Sequence, residues 1–197
     1  MISNKQKSAN FRYNSKNLNE FINFVLMKLL RKILFPIVPV YYIVTWLRNK
    51  FYDLGWKASK SYTIPIVCVG NLSTGGTGKT PTIEYLIRLL KDEFKVATLS
   101  RGYKRETKGF ILADDHATAT SIGDEPYQFH SKFKDVTVSV DANRQNGIEQ
   151  LLKLKQPDVI LLDDAFQHRK VKASYSILLT SYSNLYRDDI VLPTGNL

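Results

Sequence analysis

The chain has 197 residues, 44% of them hydrophobic, enough to bury the core of one medium domain with length to spare. Its formal net charge of +10 is unevenly placed: residues 1–60 carry 11 Lys or Arg against two acids, Glu20 and Asp53, leaving 17 against 16 for the rest. The single cysteine, Cys68, excludes an intramolecular disulfide, and nothing points to an oxidising compartment.

Residues 1–20 are polar and rich in Asn, Lys and Ser, a composition that predicts no fixed structure. From Ile22 the spacing changes. Ile22, Val25, Leu26, Leu29, Leu30, Ile33 and Leu34 recur at helical intervals, with Lys28, Arg31 and Lys32 off the stripe, which predicts an amphipathic helix with a basic face. The uncharged run Ile33 to Leu47 contains Pro36 and Pro39 and is shorter than the roughly 20 apolar residues of a spanning helix. Tyr41, Tyr42 and Trp46 supply amphipathic rings, and Arg48 and Lys50 a second basic flank. Together these favour a monotopic anchor in the bilayer interface, drawn to anionic lipid. A cleaved signal peptide, a transmembrane span and a helix pair packed on the domain compete with that reading. The first lacks a small-residue cleavage site.

Ile64, Ile66, Val67, Cys68 and Val69 read as a strand, with Cys68 in the core. GNLSTGGTGKT (70–80) follows and opens a helix with Pro81 in its first turn and Ile83, Leu86, Ile87 and Leu90 on one face. Strand, glycine loop and helix in that order form a phosphate cradle. Ser73, Thr74, Gly75, Gly76, Thr77 and Gly78 would wrap an anion with backbone amides, Lys79 would reach β- and γ-phosphates, and Thr80 would hold Mg²⁺. Ser73 stands where GxxxxGK[ST] has its first glycine, and Gly70 is expected to relieve strain where the strand ends. An ordinary glycine-rich βα turn is the competing reading.

Further along, Lys95 to Leu99 predicts a strand, Ser100 to Arg105 its exit loop, and Gly109 to Ala113 a weaker strand. Gly123 to Phe133 predicts a loop opening a helix, Val136 to Val140 a strand, and Asn143 to Lys155 a helix with Ile148, Leu151 and Leu152 on one face. Asp158 to Leu162 reads as a buried strand ending at Asp163 and Asp164, and Tyr175 to Thr180 as another. The fold class is therefore α/β, a P-loop NTPase-like, doubly wound, mainly parallel sheet preceded by the amphipathic helix. Its ligands sit at the carboxyl ends of the strands.

Three further groups fall at that edge. VILLDD (159–164) has the form of a Walker B segment, an apolar strand ending in metal-holding carboxylates, although Asp-Asp after a strand is also common in turns. GDEP (123–126) places Asp124 and Glu125 where a phosphotransferase needs a base and a second metal-balancing acid; the spacing alone fits a helix N-terminus equally. Arg101, Arg144 and His168 could face phosphate or simply solvent.

With those residues assembled, the chain resembles the tetraacyldisaccharide 4′-kinase family from about Met27 to Leu197. The likeness rests on LLRKILFP, VGNLSTGGTGKTP, SRGYKR, GDEP, DANR, DDAFQH and LPTGNL in order. It implies ATP-dependent phosphorylation of the 4′-hydroxyl of tetraacyldisaccharide 1-phosphate in lipid A assembly, with ATP and Mg²⁺ as cofactors. Lys79 and Thr80 would then bind triphosphate and metal, and Asp124 would be the base. Glu125 with Asp163 or Asp164 would arrange the metal, Arg144 would contact phosphate, and Gln167 and His168 would follow the metal acids at the site. The implied location is peripheral, on the cytoplasmic face of the inner membrane of a Gram-negative bacterium, with no nucleic-acid partner. Domain expectations are a polar extension at 1–26, a basic anchor at 27–60 and a P-loop kinase domain at 61–197.

Two departures stand out: Ala165 where the family usually has glycine after the two acids, and a length that stops before the family's second α/β domain. The expectation is a chain that binds nucleotide with little or no turnover by itself. The main rival is a membrane-associated partition or positioning ATPase, whose loop carries a lysine directly before the double glycine. Thr74 occupies that place.

Overall fold

A computed structural model describes residues 38–72, 76–182 and 185. The 1–26 extension, the helix expected at Ile22 to Leu34, the loop residues Ser73, Thr74 and Gly75, and the terminal LPTGNL lie outside the described residues. The chain divides into two compact units, Met1–Leu47 with Ile190–Leu197, and Arg48–Asp189. In the first, the described residues are the opening turns of helix α1 (Val38–Asp53), which takes Pro39 near its start, where a missing N–H costs nothing. α1 buries none of its side chains.

The second unit is built on a six-stranded sheet: β1 (Ile66–Asn71), β2 (Val96–Ser100), β3 (Ile111–Leu112), β4 (Thr137–Val140), β5 (Val159–Asp163) and β6 (Tyr175–Leu179). The order is β3-β4-β2-β5-β1-β6, parallel throughout except where β3 runs against β4 at the edge. The helices are α2 (Lys79–Leu90), α3 (Ala119–Ile122), α4 (Asp124–Lys132) and α5 (Arg144–Leu154). From β1 the chain winds outward to β2 and β4, then reverses to lay β5 between β2 and β1. Right-handed crossovers therefore put α2 and α4 on one face and α5 on the other.

The strand sequences obey this arrangement residue by residue. Val69, Val159 and Leu161 pack with Ile83, Ile87, Phe129 and Phe133 of the α2–α4 layer. Their neighbours Cys68, Ile160 and Leu162 pack with Ile148 and Leu151 of α5. Period-two alternation between two buried faces makes β5 apolar throughout, as a central parallel strand requires. Burial also pushes the Cys68 thiol up to about 11, consistent with its place in the core.

The one-turn helix α3 was not anticipated from the sequence; a reciprocal capping box between Thr118 and Ser121 makes it. Spacing likewise gave no sign that Glu84, inside the apolar face of α2, would be 7% exposed. It accepts from Gln128 Nε2 at 2.7 Å and is paired with Lys132, both on α4, and with Arg88 at 3.4 Å. Burial alone would raise this carboxyl, but the Lys132 and Gln128 hydrogen bonds outweigh it and hold the group below its ordinary value. The ion cluster ties the middle of α2 to the middle and C-terminal end of α4.

Gly70 acts differently from the expectation. It lies within β1, paired with Leu178, and is not among the positive-φ residues. A Cβ added there would lie 2.7 Å from Phe166 Cβ and 3.1 Å from its amide nitrogen. The glycine is needed for close approach of the chain following Asp163 and Asp164. Gly70→Ala is expected to cost about 1–3 kcal/mol in urea unfolding, the usual scale of overpacking; an unchanged midpoint would show that the Phe166 segment yields freely.

Candidate active site

Gly78, at φ 86, precedes α2 in a left-handed conformation, and no side chain caps the helix. Its first N–H groups are thus left for an anion, where the helix dipole also favours negative charge. The buried Thr77 Oγ1 has no hydrogen-bond partner among the described residues, which marks the same loop as shaped for a ligand. Lys79 Nζ donates to Asn71 Oδ1 at 2.9 Å and lies 3.1 Å from Asp164 Oδ1. Its ammonium is aimed across the loop by the end of β1 and the end of β5.

Parallel register sets those acids beside the loop. Val69 is paired with Asp163, and the Asp164 amide donates to Val69 O at 2.9 Å. Asp164 turns the chain at φ 51, a conformation Asp tolerates better than most residues. The positive φ therefore falls on Asp164, and Ala165 needs no positive φ at the place where the family resemblance expects glycine.

Asp163 is 7% exposed and accepts from Ser100 Oγ at 3.3 Å. Burial, reinforced by the negative charges of Asp164 and Glu125, pushes its carboxyl up to about 6, against the Ser100 hydrogen bond and the charge of Lys79.

Lys79, Thr80, Glu125, Asp163 and Asp164 line one cleft of about 320 Å³, together with Ser100, Arg101, Gly102, Tyr103 and Pro126. Five expected site residues thus converge from three segments. Asp124, the exposed first residue of α4, is not among the lining residues. Arg144 is not a cleft residue either: at 2% exposure it donates to Asp141 O at 2.6 Å and to Asp163 O at 3.4 Å, so it braces the acidic strand end from below. Desolvation lowers its pKa, while Asp163 opposes that shift.

His168 lines a separate cavity of about 480 Å³, with Cys68, Leu162 and Phe166. Burial first, then the charges of Arg144 and Arg101, hold it below the ordinary imidazole value, favouring the neutral ring. Gln167 is exposed and donates to Asn71 O at 3.4 Å. Ser100, Tyr103 and Asn71 were not singled out from the sequence. Position at the carboxyl end of a strand was the available signal for Ser100 and Asn71. Among the described residues, no three His, Cys, Asp or Glu side chains converge as a metal-binding group.

A glycine loop opening a helix, set beside an acidic strand end at the carboxyl edge of a parallel sheet, defines a P-loop nucleotide-binding α/β protein. Within that class the match is specific. The family model described as Tetraacyldisaccharide-1-P 4'-kinase matches residues 30–197, and the chain belongs to that family.

A tetraacyldisaccharide 4'-kinase of Flavobacterium johnsoniae is 62% identical over 172 residues, covering 87% of this chain and 51% of the relative. One from Bacteroides thetaiotaomicron is 57% identical over 170 residues, 85% of this chain and 45% of the relative. The crystal structure of "apo" form LpxK from Aquifex aeolicus in complex with ATP is similar at a TM-score of 0.78 and 39% identity, covering 85% of this chain and 54% of that one. The chain spans about half the length of the curated relatives it matches.

Because its pKa is raised, folded Asp163 keeps a proton that the unfolded chain releases, so stability falls as pH rises from about 4 to about 6 and then levels off. Ligand-free Asp163→Asn should therefore melt above the parent at pH 8 by roughly 2–4 °C or more, with the gap closing toward pH 4. A pH-independent gap in thermal scans would contradict the assignment.

Proposed function

We propose that this chain binds ATP and Mg²⁺ and forms the nucleotide-binding part of an enzyme that transfers the γ-phosphoryl group to the 4′-hydroxyl of a tetraacyldisaccharide 1-phosphate in lipid A assembly, with little or no turnover by itself. The observation that carries this reading is the convergence of Lys79, Thr80, Glu125, Asp163 and Asp164 on one cleft in a chain of this family. Phosphoryl transfer asks little covalent chemistry of a protein, so positioning and charge neutralisation are the main tasks.

The loop amides and α2 N-terminus hold the triphosphate, with Lys79 on its terminal phosphates. The donor set suits Mg²⁺, which takes one or two carboxylates with phosphate and water oxygens rather than a full protein cage. Thr80, Asp163 and Asp164 would hold it, with Glu125 adding charge, and its chemistry there is to neutralise the phosphate oxygens. Ser100 and Arg144 keep Asp163 in place. Asp124, one residue before Glu125, is the proposed base for the sugar hydroxyl, by its resemblance to the family motif. His168 is proposed as a neutral neighbour beyond Asp163 and Asp164.

The acceptor is a lipid, and α1 fits a bilayer surface. Val40, Tyr42, Ile43, Val44 and Trp46 are each more than half exposed, with Arg48 and Lys50 following them. Such a surface favours the interface of an anionic membrane. No described helix is long and apolar enough to cross one. The proposed location is peripheral, on the cytoplasmic face of a Gram-negative inner membrane, with 27–60 as the anchor and 61–197 as the kinase domain.

Lys79→Ala should weaken ATP affinity about tenfold or more in calorimetric titration of the chain, while Asp124→Asn leaves it within about twofold. In a form spanning the relatives' full length, Asp124→Asn should lower turnover of the tetraacyldisaccharide about 10²–10⁴-fold. Near-normal turnover would remove Asp124 from the base role. The chain should also sediment with phosphatidylglycerol vesicles, and a form lacking residues 1–60 should not; equal sedimentation of both would exclude the anchor.

A further inference from the structure

We propose that Arg169 is a positioning residue for the metal-holding acids: by tying the turn that leaves β5 to the end of α1, it keeps Asp163 and Asp164 set to receive Mg²⁺. It does so from outside the nucleotide cleft, since Arg169 lines the other cavity with Tyr52 and Phe166. The inference deepens the kinase reading above and rests on it.

Asp164 stands at φ 51, and a residue other than glycine stays in that region only when its surroundings hold it there. One side of the hold is the Asp164 amide, which donates to Val69 O at 2.9 Å. The other side is the chain from Ala165 to Lys170, which contains no helix or strand and few bonds of its own, among them the His168 amide to Ala165 O at 2.9 Å. Its inner flank meets β1, where Phe166 lies against Gly70 and Gln167 Nε2 reaches Asn71 O at 3.4 Å.

The outer flank is held by α1 and the segment after it. Arg169 Nη1 donates to Asn49 O at 3.1 Å, Nη2 donates to Asp53 Oδ1 at 2.5 Å, and the guanidinium lies 5.3 Å from the centre of the Tyr52 ring. Asn49, Tyr52 and Asp53 share one helical turn, so a single planar fork spans all three. The cation also stands at the C-terminal end of α1, where the helix dipole favours it. Around it, the carbonyls of Gln167, Arg169 and Lys170 accept from Arg48 Nη2 at 3.0 Å, Ser59 Oγ at 2.5 Å and the Lys60 amide at 2.8 Å.

An exposed ion pair between Arg169 and Asp53 would by itself contribute little. What sets this one apart is the combination of a carboxylate, a backbone carbonyl and a ring face on one side with a strained metal acid five residues upstream on the other. Asp164 is exposed and its carboxylate meets Lys79 at 3.1 Å, so its placement is set by the backbone that carries it. Metal-free ATP is repelled by Asp163, Asp164 and Glu125, whereas Mg²⁺ turns those acids into an attraction. Misplaced acids therefore show in the metal-dependent part of ATP binding, and groups that hold metal ligands from behind typically change metal affinity by about 10–100-fold when removed.

The test titrates the whole chain with ATP by calorimetry, once in saturating Mg²⁺ and once in EDTA. In the parent, Mg²⁺ should tighten ATP binding about tenfold or more; Arg169→Ala should cut that gain to within about twofold while leaving the metal-free affinity within about twofold of the parent. Asp53→Ala, on the exposed end of α1, carries the same prediction should Arg169→Ala fail to fold, and the double variant should lose no more than either single one. Arg169→Lys keeps the charge without the fork and should also lose most of the gain. A gain that survives these substitutions would overturn the role. So would equal weakening with and without metal, which marks a merely structural contact, or a lysine variant that matches the parent, which reduces Arg169 to a distant charge. A parent that binds ATP with no gain from Mg²⁺ overturns the metal reading of Asp163 and Asp164 and this role with it, whereas one that binds no ATP removes the kinase reading itself.

Discussion

Pairing of β1 with β5 is the constraint on which the rest of the site depends. Val69 stands beside Asp163, and the Asp164 amide bonds to Val69 O, so the glycine loop and the acidic strand end leave the sheet as neighbours. Lys79 can then reach Asn71 and Asp164 at once. Because a one-residue slip in a strand reverses every side chain, the alternation of β5 between the α2–α4 core and the α5 core fixes which acid is buried and which is exposed. Asp163 points into the protein and Asp164 toward Lys79, and their different electrostatic surroundings follow from that parity.

A second theme is the use of buried charge to hold charged groups in place. Arg144 lies beneath Asp163 and bonds to the backbone at two strand ends, and Glu84 joins the two helices that bring Lys79 and Glu125 to the cleft. Buried ions of this kind are costly to desolvate and contribute little net stability. Their value here is geometric: they restrict how α2, α4 and β5 can move relative to one another.

Much of this is legible in the sequence. The strands β1, β2, β4, β5 and β6 and the helices α2, α4 and α5 follow from local patterns: β-branched runs, apolar faces at helical spacing, and Asn143 at an N-cap. Lys79, Thr80, Glu125, Asp163 and Asp164 were found because strand ends and helix starts collect at one edge of a parallel sheet. Arg144 and His168 illustrate the limit. Each stands close to a motif residue, yet one is buried under the site and the other lines another cavity. Adjacency along a turn does not specify direction in space.

The sequence by itself determined the class of fold, the phosphate loop and the family, because each depends on residues close together along the chain. It also set the separation of a basic, aromatic-rich N-terminal third from a nearly neutral remainder. Only the tertiary structure decided that Gly70 serves a close approach by Phe166, that Glu84 is a tie between helices, and that Ser100 and Tyr103 belong to the cleft. It also gathered Arg101, Lys104 and Lys108 around one hollow beside that cleft. Those facts depend on strand order and on which face each helix covers, and the insertion of β5 between β1 and β2 is a choice made over nearly a hundred residues that no local pattern records.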